Sequence, residues 1–262
     1  MLGADKMFIQ YQELPRFNSA ASSDLLEAYQ SGIEDQIRGT GARVKSRAFA
    51  PSGFRCDRYQ WFKLRGTEVD EIQNPDVTMD FLADIGTAIH RRVQRTLIKR
   101  LGDDWISVRR YLEQNPIKFE YILDEPESED EYETLISIIS PPVKFACDGI
   151  VRIGGKLYLL EIKTCDLRSI ASLPQQKDSH LDQIRCYSSL LGLHGVLVLY
   201  VDRQLGTTKC FEVRFTDEEH RSVISKMYHI MSMAEQNLAP EKLSVGSYMC
   251  SNCAYQVKCK EW

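Results

Sequence analysis

The sequence predicts an α/β protein built on a mixed β-sheet flanked by helices. Three observations carry that expectation: helical and strand patterns alternate along the chain, two β-rich runs meet at a Gly-Gly pair, and an amphipathic helix pattern intervenes before the strands resume. The chain has 262 residues, 43% hydrophobic and 27% charged, with a mean hydropathy of −0.32, the balance of an ordinary globular protein. That length suits one large core with additions.

Residues 22–38 read as a capped helix, with Ser23 and Asp24 ahead of Leu25, Leu26, Ala28 and Ile33. Pro51, Ser52 and Gly53 break the chain, and a short helix over 56–64 carries Tyr59, Trp61 and Phe62. The longest helical pattern is 78–101, with Phe81, Leu82, Ile85, Ile89, Val93 and Leu97 at helical spacing and Gly102 to end it. Residues 118–123 form a candidate strand, followed by an acidic loop. Residues 143–153 are rich in β-formers, Gly154-Gly155 signals a two-residue hairpin, and 156–163 is the returning strand. An amphipathic helix over 177–193, strands over 196–201 and 209–215, and a helix over 216–237 with Asp217, Glu218 and Glu219 in its first turn complete the core. The tail from Ser244 is short, polar and cysteine-bearing, and the chain contains no internal repeat.

Thirty-seven acidic residues against 33 basic give a net charge of −4, so the whole molecule does not advertise nucleic-acid binding. The charge is uneven, however. Arg43, Lys45, Arg47, Arg55, Arg58, Lys63 and Arg65 face only Asp57 over 43–65, and Arg91, Arg92, Arg95, Lys99 and Arg100 share one predicted helix. Such local surfaces suit a phosphate backbone, and solvated helix faces have the same composition. No stretch approaches a membrane span, and the first twelve residues are too polar for a signal peptide, which points to the cytoplasm. Eight cysteines in a cytoplasmic chain are metal ligands or buried thiols rather than a disulfide framework.

The hairpin brings chemistry together. With Gly154-Gly155 as the turn, Asp148 and Glu161 become cross-strand neighbours on one face, their Cβ atoms about 5 Å apart. Lys163 lies two residues beyond Glu161 on the same face, while Ile162 points into the core. Two carboxylates so close repel unless a cation sits between them, and hard oxygen ligands select Mg²⁺ or Mn²⁺. Taken alone the triplet also fits a solvent-facing sheet edge, His90 a satisfied helix histidine, and Gln183 and Tyr187 an ordinary helix face.

Three cysteines close the chain as Cys250-x2-Cys253-x5-Cys259, one ligand short of a closed site. Cys56, Cys147, Cys165, Cys186 and Cys210 are candidates for the fourth, and the spacing suits Zn²⁺ and an iron–sulfur cluster alike. Tyr59, Trp61 and Phe62, interleaved with Arg55, Arg58 and Lys63, suit either stacking on unpaired bases or packing against this tail.

Gly86 with His90 (G-x-x-x-H), then Asp148, then Glu161 with Lys163 (E-x-K), then Gln183 with Tyr187 (Q-x-x-x-Y) resemble, in this order, the RecB-type branch of the PD-(D/E)XK nucleases. The resemblance covers roughly residues 56–259, although Pro142 is not adjacent to Asp148 and the literal Pro-Asp pair is missing. It implies a restriction-endonuclease-like core in which His90, Asp148 and Glu161 ligate Mg²⁺ or Mn²⁺, Ile162 lends its carbonyl, Lys163 acts on the attacking water, and Gln183 and Tyr187 contact the DNA backbone. One early cysteine with a late C-x2-C-x5-C is similar to the iron–sulfur clasp of this branch, carried by AddB and the CRISPR-associated adaptation exonucleases. Phage-encoded relatives share the S-x-x-x-C-x-R that here spans Ser52 to Arg58. That likeness implies one [4Fe-4S] cluster on Cys56, Cys250, Cys253 and Cys259.

The expected organisation is an N-terminal helical extension over 1–50, a nuclease core over 51–243 and a C-terminal cysteine segment over 244–262. The expected activity is a metal-dependent deoxyribonuclease, an exonuclease on single-stranded DNA or DNA ends, in the cytoplasm (of the host, if phage-encoded). A nicking or structure-selective endonuclease with the same site and a non-catalytic DNA-end-binding module are the rival readings. Recombination, replication or CRISPR-adaptation proteins are the expected partners beside DNA.

Overall fold

The structure, a computed structural model, describes residues 20–40, 47–70, 77–125, 133–243, 247–251 and 253–261. Among them the elements run α1 (Ala20–Thr40), α2 (Asp57–Leu64), α3 (Val77–Leu101), β1 (Trp105–Ile106), α4 (Val108–Gln114), β2 (Tyr121–Asp124), β3 (Leu135–Ile138) and β4 (Val143–Ala146). Then follow β5 (Gly149–Ile153), β6 (Lys156–Cys165), α5 (Leu167–Ser172), α6 (Asp178–Leu191), β7 (Gly195–Asp202), β8 (Thr208–Arg214), α7 (Asp217–Glu235), α8 (Tyr248–Ser251) and α9 (Gln256–Glu261). Most of the expected acidic loop, residues 126–132, lies outside the described residues, as do residues 1–19 of the expected N-terminal extension.

The main sheet has the order β1-β5-β6-β7-β8. β6 and β7 run parallel and the other neighbours antiparallel, so the sheet is mixed, as a restriction-endonuclease-like core requires. The β5–β6 hairpin has the expected register, Ile153 opposite Lys156, because Gly154 and Gly155 both hold positive φ (57° and 77°). That backbone matches the twist of a two-residue hairpin and is open to glycine without strain.

Each face of the sheet has its own cover. Ile89, Val93, Leu97 and Leu101 of α3 pack on Val151, Tyr158, Leu160, Ile162 and Val201. The opposite face carries the larger core, where Leu159, Val196, Val198 and Tyr200 meet Ile184, Tyr187, Leu190 and Leu191 of α6, with Trp61, Phe62 and Met227 behind. Wholly buried residues such as Leu159 and Val198 contribute about 1.5–3 kcal/mol each relative to exposure, which makes this layer a rigid base for β6.

Three expectations change. The run 143–153 is not one strand: it breaks at Cys147 and Asp148 into β4 and β5, and β4 turns away to form a second antiparallel sheet, β2-β3-β4. Phe49 already belongs to this core, buried and bridged to Val143. The helix expected at 22–38 begins at Ala20, so Ser23 and Asp24 lie inside α1 rather than capping it. Phe81, placed by spacing on the core face of α3, is 57% exposed, because only the C-terminal half of α3 reaches the sheet. No described helix is long and apolar enough to cross a membrane.

Candidate active site

The strand break at Asp148 builds the site. β6 continues past the end of β5, to Cys165, with β7 as its remaining partner, so on its other edge the Ile162 N–H loses its strand neighbour. A buried amide does not stay unpaired. Asp148 bends in and its Oδ2 accepts that N–H at 2.5 Å. From α3, the buried side chain of Gln94 donates from Nε2 to the Asp148 carbonyl at 2.9 Å, which holds the bend in place. Asp148 therefore faces Glu161 from a bend rather than from a regular strand position.

Glu161 is 3% exposed, and Lys163 on the same face reaches its Oε1 at 2.6 Å. Lys163 Nζ also donates to Gln183 Oε1 at 2.9 Å, and Gln183 Nε2 donates to the Tyr187 hydroxyl at 2.8 Å. Gln183 and Tyr187, one turn apart on α6, are thus brought to the site as expected, but their hydrogen bonds run inward. Tyr187 is buried and stacks on Phe145 with ring centroids 5.0 Å apart. In this arrangement the Q-x-x-x-Y pair orients the lysine. Ile162 is wholly buried, pointing into the α3 layer as expected.

His90 reaches the same place from α3, its Nδ1 2.9 Å from Asp148 Oδ1 and 3.9 Å from Glu133 Oε1. Burial lowers its pKa, but hydrogen bonds and charge from Asp148 and Glu133 outweigh that and raise it to about 10. Burial, reinforced by the Asp148 charge and opposed by Lys163, raises Glu161 to about 7. The site thus gathers more negative charge than its own lysine and histidine comfortably neutralise. Carboxylate oxygens with one imidazole are the donor set that suits a hard or borderline divalent cation, so the residues fit Mg²⁺ or Mn²⁺.

Three residues here escaped the sequence reading. Gln94 and Glu133 are far from the motif in sequence, and only the fold brings them in. His180 had a readable signal, since it lies three residues before Gln183 on the same helix face. Its Nδ1 is 2.8 Å from the Tyr200 hydroxyl, which in turn accepts from the Lys177 amide at 3.0 Å. Burial, then the charges of Lys163 and Lys177, depress its pKa to about 4, so its ring is neutral beside the lysine.

The four cysteines singled out by spacing come together elsewhere. Cys56 caps the N-terminus of α2, its Sγ accepting from the Tyr59 amide at 3.4 Å. With Cys250, Cys253 and Cys259 it lines one cavity of about 590 Å³ between α2 and the C-terminal helices. Cys147, Cys165 and Cys186 are instead buried in the core, and Cys210 is exposed on β8. Burial raises the thiol pKa of Cys56 and of Cys253, an apo-state cost that metal ligation would reverse. Arg58 also lines this cavity, buried, with its Nε lacking a hydrogen-bond partner among the described residues. Four thiols and a buried guanidinium with one unpaired N–H around one cavity fit an anionic tetrathiolate centre.

The aromatic residues of α2 close the remaining choice. Trp61 and Phe62 are buried, and Tyr59 and Phe62 both pack on Tyr255 of the tail, at ring distances of 5.4 and 5.1 Å. Tyr59 and Phe62 thus pack on the cysteine segment, and burial withdraws Trp61 and Phe62 from stacking on bases.

The class defined by this fold and site is a mixed α/β protein with a buried carboxylate pair, a lysine and a histidine at a strand divergence. No family model matches the chain, and no curated protein matches it in sequence. Among solved structures, it is similar in fold to SSO0001, at 15% identity and a TM-score of 0.51, over 90% of this chain and 97% of that one. An alkaline exonuclease (LHK-Exo) from Laribacter hongkongensis matches at 12% identity and a TM-score of 0.36, over 78% of this chain and 93% of that one. The same enzyme in complex with dAMP matches at 13% identity and a TM-score of 0.37, with the same coverage.

Proposed function

We propose that this chain is a metal-dependent DNA nuclease that hydrolyses phosphodiester bonds, with Asp148, Glu161 and Lys163 as its catalytic residues. The observation that carries the reading is their convergence at the point where β5 leaves β6, with Glu161 buried against Lys163 at 2.6 Å. A divalent cation held by Asp148, Glu161, His90 and the Ile162 carbonyl would supply a Lewis acid for the phosphodiester and a water of lowered pKa. Lys163 brings a fixed positive charge to the side where negative charge develops. Gln183 and Tyr187 restrict the Lys163 rotamer, so that little reorganisation is needed when substrate arrives. Asp148 holds His90 and Glu161 holds Lys163 in place before any substrate binds.

The exonuclease reading, on single-stranded DNA or DNA ends, rests on the sequence resemblance to the RecB-type branch. The [4Fe-4S] cluster on Cys56, Cys250, Cys253 and Cys259 is supported by their shared cavity and by Arg58 beside it. Its role is structural, because four thiolates leave no open coordination position. Anaerobically purified protein analysed for iron, labile sulfide and zinc tests this: stoichiometric zinc without sulfide contradicts the cluster and leaves the nuclease reading intact. Single- and double-stranded DNA labelled at either end, incubated with Mn²⁺ or with EDTA, tests the activity and reads its polarity.

A further inference from the structure

The geometry points to Glu133 as a further protein ligand of the divalent cation, in a position that it forms with His90 and Asp148. The inference rests on the metal-dependent reading above and adds a residue that no sequence motif marks. One ligand atom from each of His90, Glu133 and Asp148 lies within 4.8 Å of the other two. His90 Nδ1 sits between the carboxylates, 2.9 Å from Asp148 Oδ1 and 3.9 Å from Glu133 Oε1. The other oxygen of Asp148 is taken by the Ile162 amide, and Glu161 Oε1 is taken by Lys163. The face that Asp148 leaves open is thus the one that Glu133 shares.

The surroundings suit a hydrated ion. His90 and Glu133 line a cavity of about 520 Å³ together with Gly86, Thr87 and Gln94. Mg²⁺ and Mn²⁺ keep several water ligands when bound by a few side chains, and this space accommodates them. Glu133 arrives just ahead of β3, so the second sheet, which turns away from the main one at Asp148, supplies the third carboxylate. The competing account is a half-exposed Glu133–His90 ion pair, weak in solvent, that binds nothing.

The test is Mn²⁺ binding to the full-length protein without DNA, followed by the loss of the free-ion EPR signal. Glu133→Gln should weaken binding by about 10-fold or more, the scale on which ligand-shell losses act. Glu133→Asp, which keeps a carboxylate, should bind more tightly than Glu133→Gln. Glu120→Gln, at an exposed acid on the approach to β2, should match the wild type. Equal Mn²⁺ affinity in Glu133→Gln and wild type overturns the assignment while leaving the metal-dependent reading in place, as does equal affinity of the Asp and Gln variants. A wild type that binds no Mn²⁺ overturns both.

Discussion

The carboxylate–lysine site and the cysteine cavity are held together in different ways, and the difference predicts how each fails. Asp148, Glu161 and Lys163 lie on or just beyond the open end of a single hairpin whose register is set by a Gly-Gly turn, over a largely buried core layer. The cysteine cavity joins α2 to α8 and α9, segments from opposite ends of the chain. Without a cluster, the ties among the described residues there centre on Asp70 and Tyr255. Asp70 accepts from the amides of Val257 and Lys258, its own amide donates to Ala254, and Tyr255 inserts between Tyr59 and Phe62. A site drawn from one hairpin keeps its geometry when its cofactor leaves, whereas a clasp between chain ends depends on what it grips.

The largest expected effect lies on the hairpin and on activity alone. Lys163→Ala should lower cleavage by about 10²-fold or more, as removal of a transition-state charge donor does, with little change in melting temperature. A folded variant with wild-type turnover would remove Lys163 from the chemistry. On the clasp the order reverses. Cys253→Ala should remove bound iron and lower thermal stability markedly, whereas Cys210→Ala, at an exposed thiol on β8, should change neither. Equal iron content and melting temperature in the Cys253 variant and wild type would remove the clasp from the account.

A smaller effect sharpens the electrostatics. Because burial raises Glu161 to about 7, the metal-free folded protein holds a proton there that the unfolded chain releases near pH 4.5. Stability from this group is therefore greatest below about pH 4.5 and is lost as pH rises through about 7. In chelated buffer, Glu161→Gln should melt above the wild type at pH 8 and lose that advantage near pH 4.5. A pH-independent difference would mean that Lys163 and His90 fully compensate the buried charge. The smallest effect is expected at Tyr187. Its hydroxyl touches Gln183 rather than open solvent, so Tyr187→Phe should lower turnover a few-fold through a less constrained Lys163 and leave DNA affinity nearly unchanged. A loss confined to DNA affinity would restore the direct backbone contact implied by the resemblance.

The local parts of this arrangement were readable from the sequence. Two glycines between β-rich runs set the hairpin register, and that register, extended one position past the observed Gly149–Leu160 pair, leads to Asp148 facing Glu161 with Lys163 on the same face. The break at Cys147 and Asp148 has only a short local mark, the Asp148-Gly149 turn dipeptide, and the β-formers on either side outweigh it in a reading by pattern alone. The break follows from tertiary pairing: β4 is drawn to β3, and Asp148 finds the Ile162 amide. Gln94 and Glu133 were missed for the same reason, as each becomes meaningful only where α3 and the second sheet converge on Asp148. The tail cysteines stood out by spacing, but Cys56 as their companion followed only from the family resemblance. Its place as the N-cap of α2, facing the same cavity, is a product of packing between distant segments.

The proposed chemistry depends on a divalent cation held by Asp148 and Glu161. Asp148→Asn tests it most directly, because the amide oxygen can still accept the Ile162 N–H and so keep the bend in β6's partner strand. Wild type and variant would be compared on end-labelled single-stranded DNA in Mn²⁺, with melting temperatures measured in parallel. The wild type should cleave and be stopped by EDTA, and the variant should keep near-wild-type stability without measurable cleavage. Undiminished cleavage by Asp148→Asn, or by the wild type in excess chelator, would contradict the proposed chemistry.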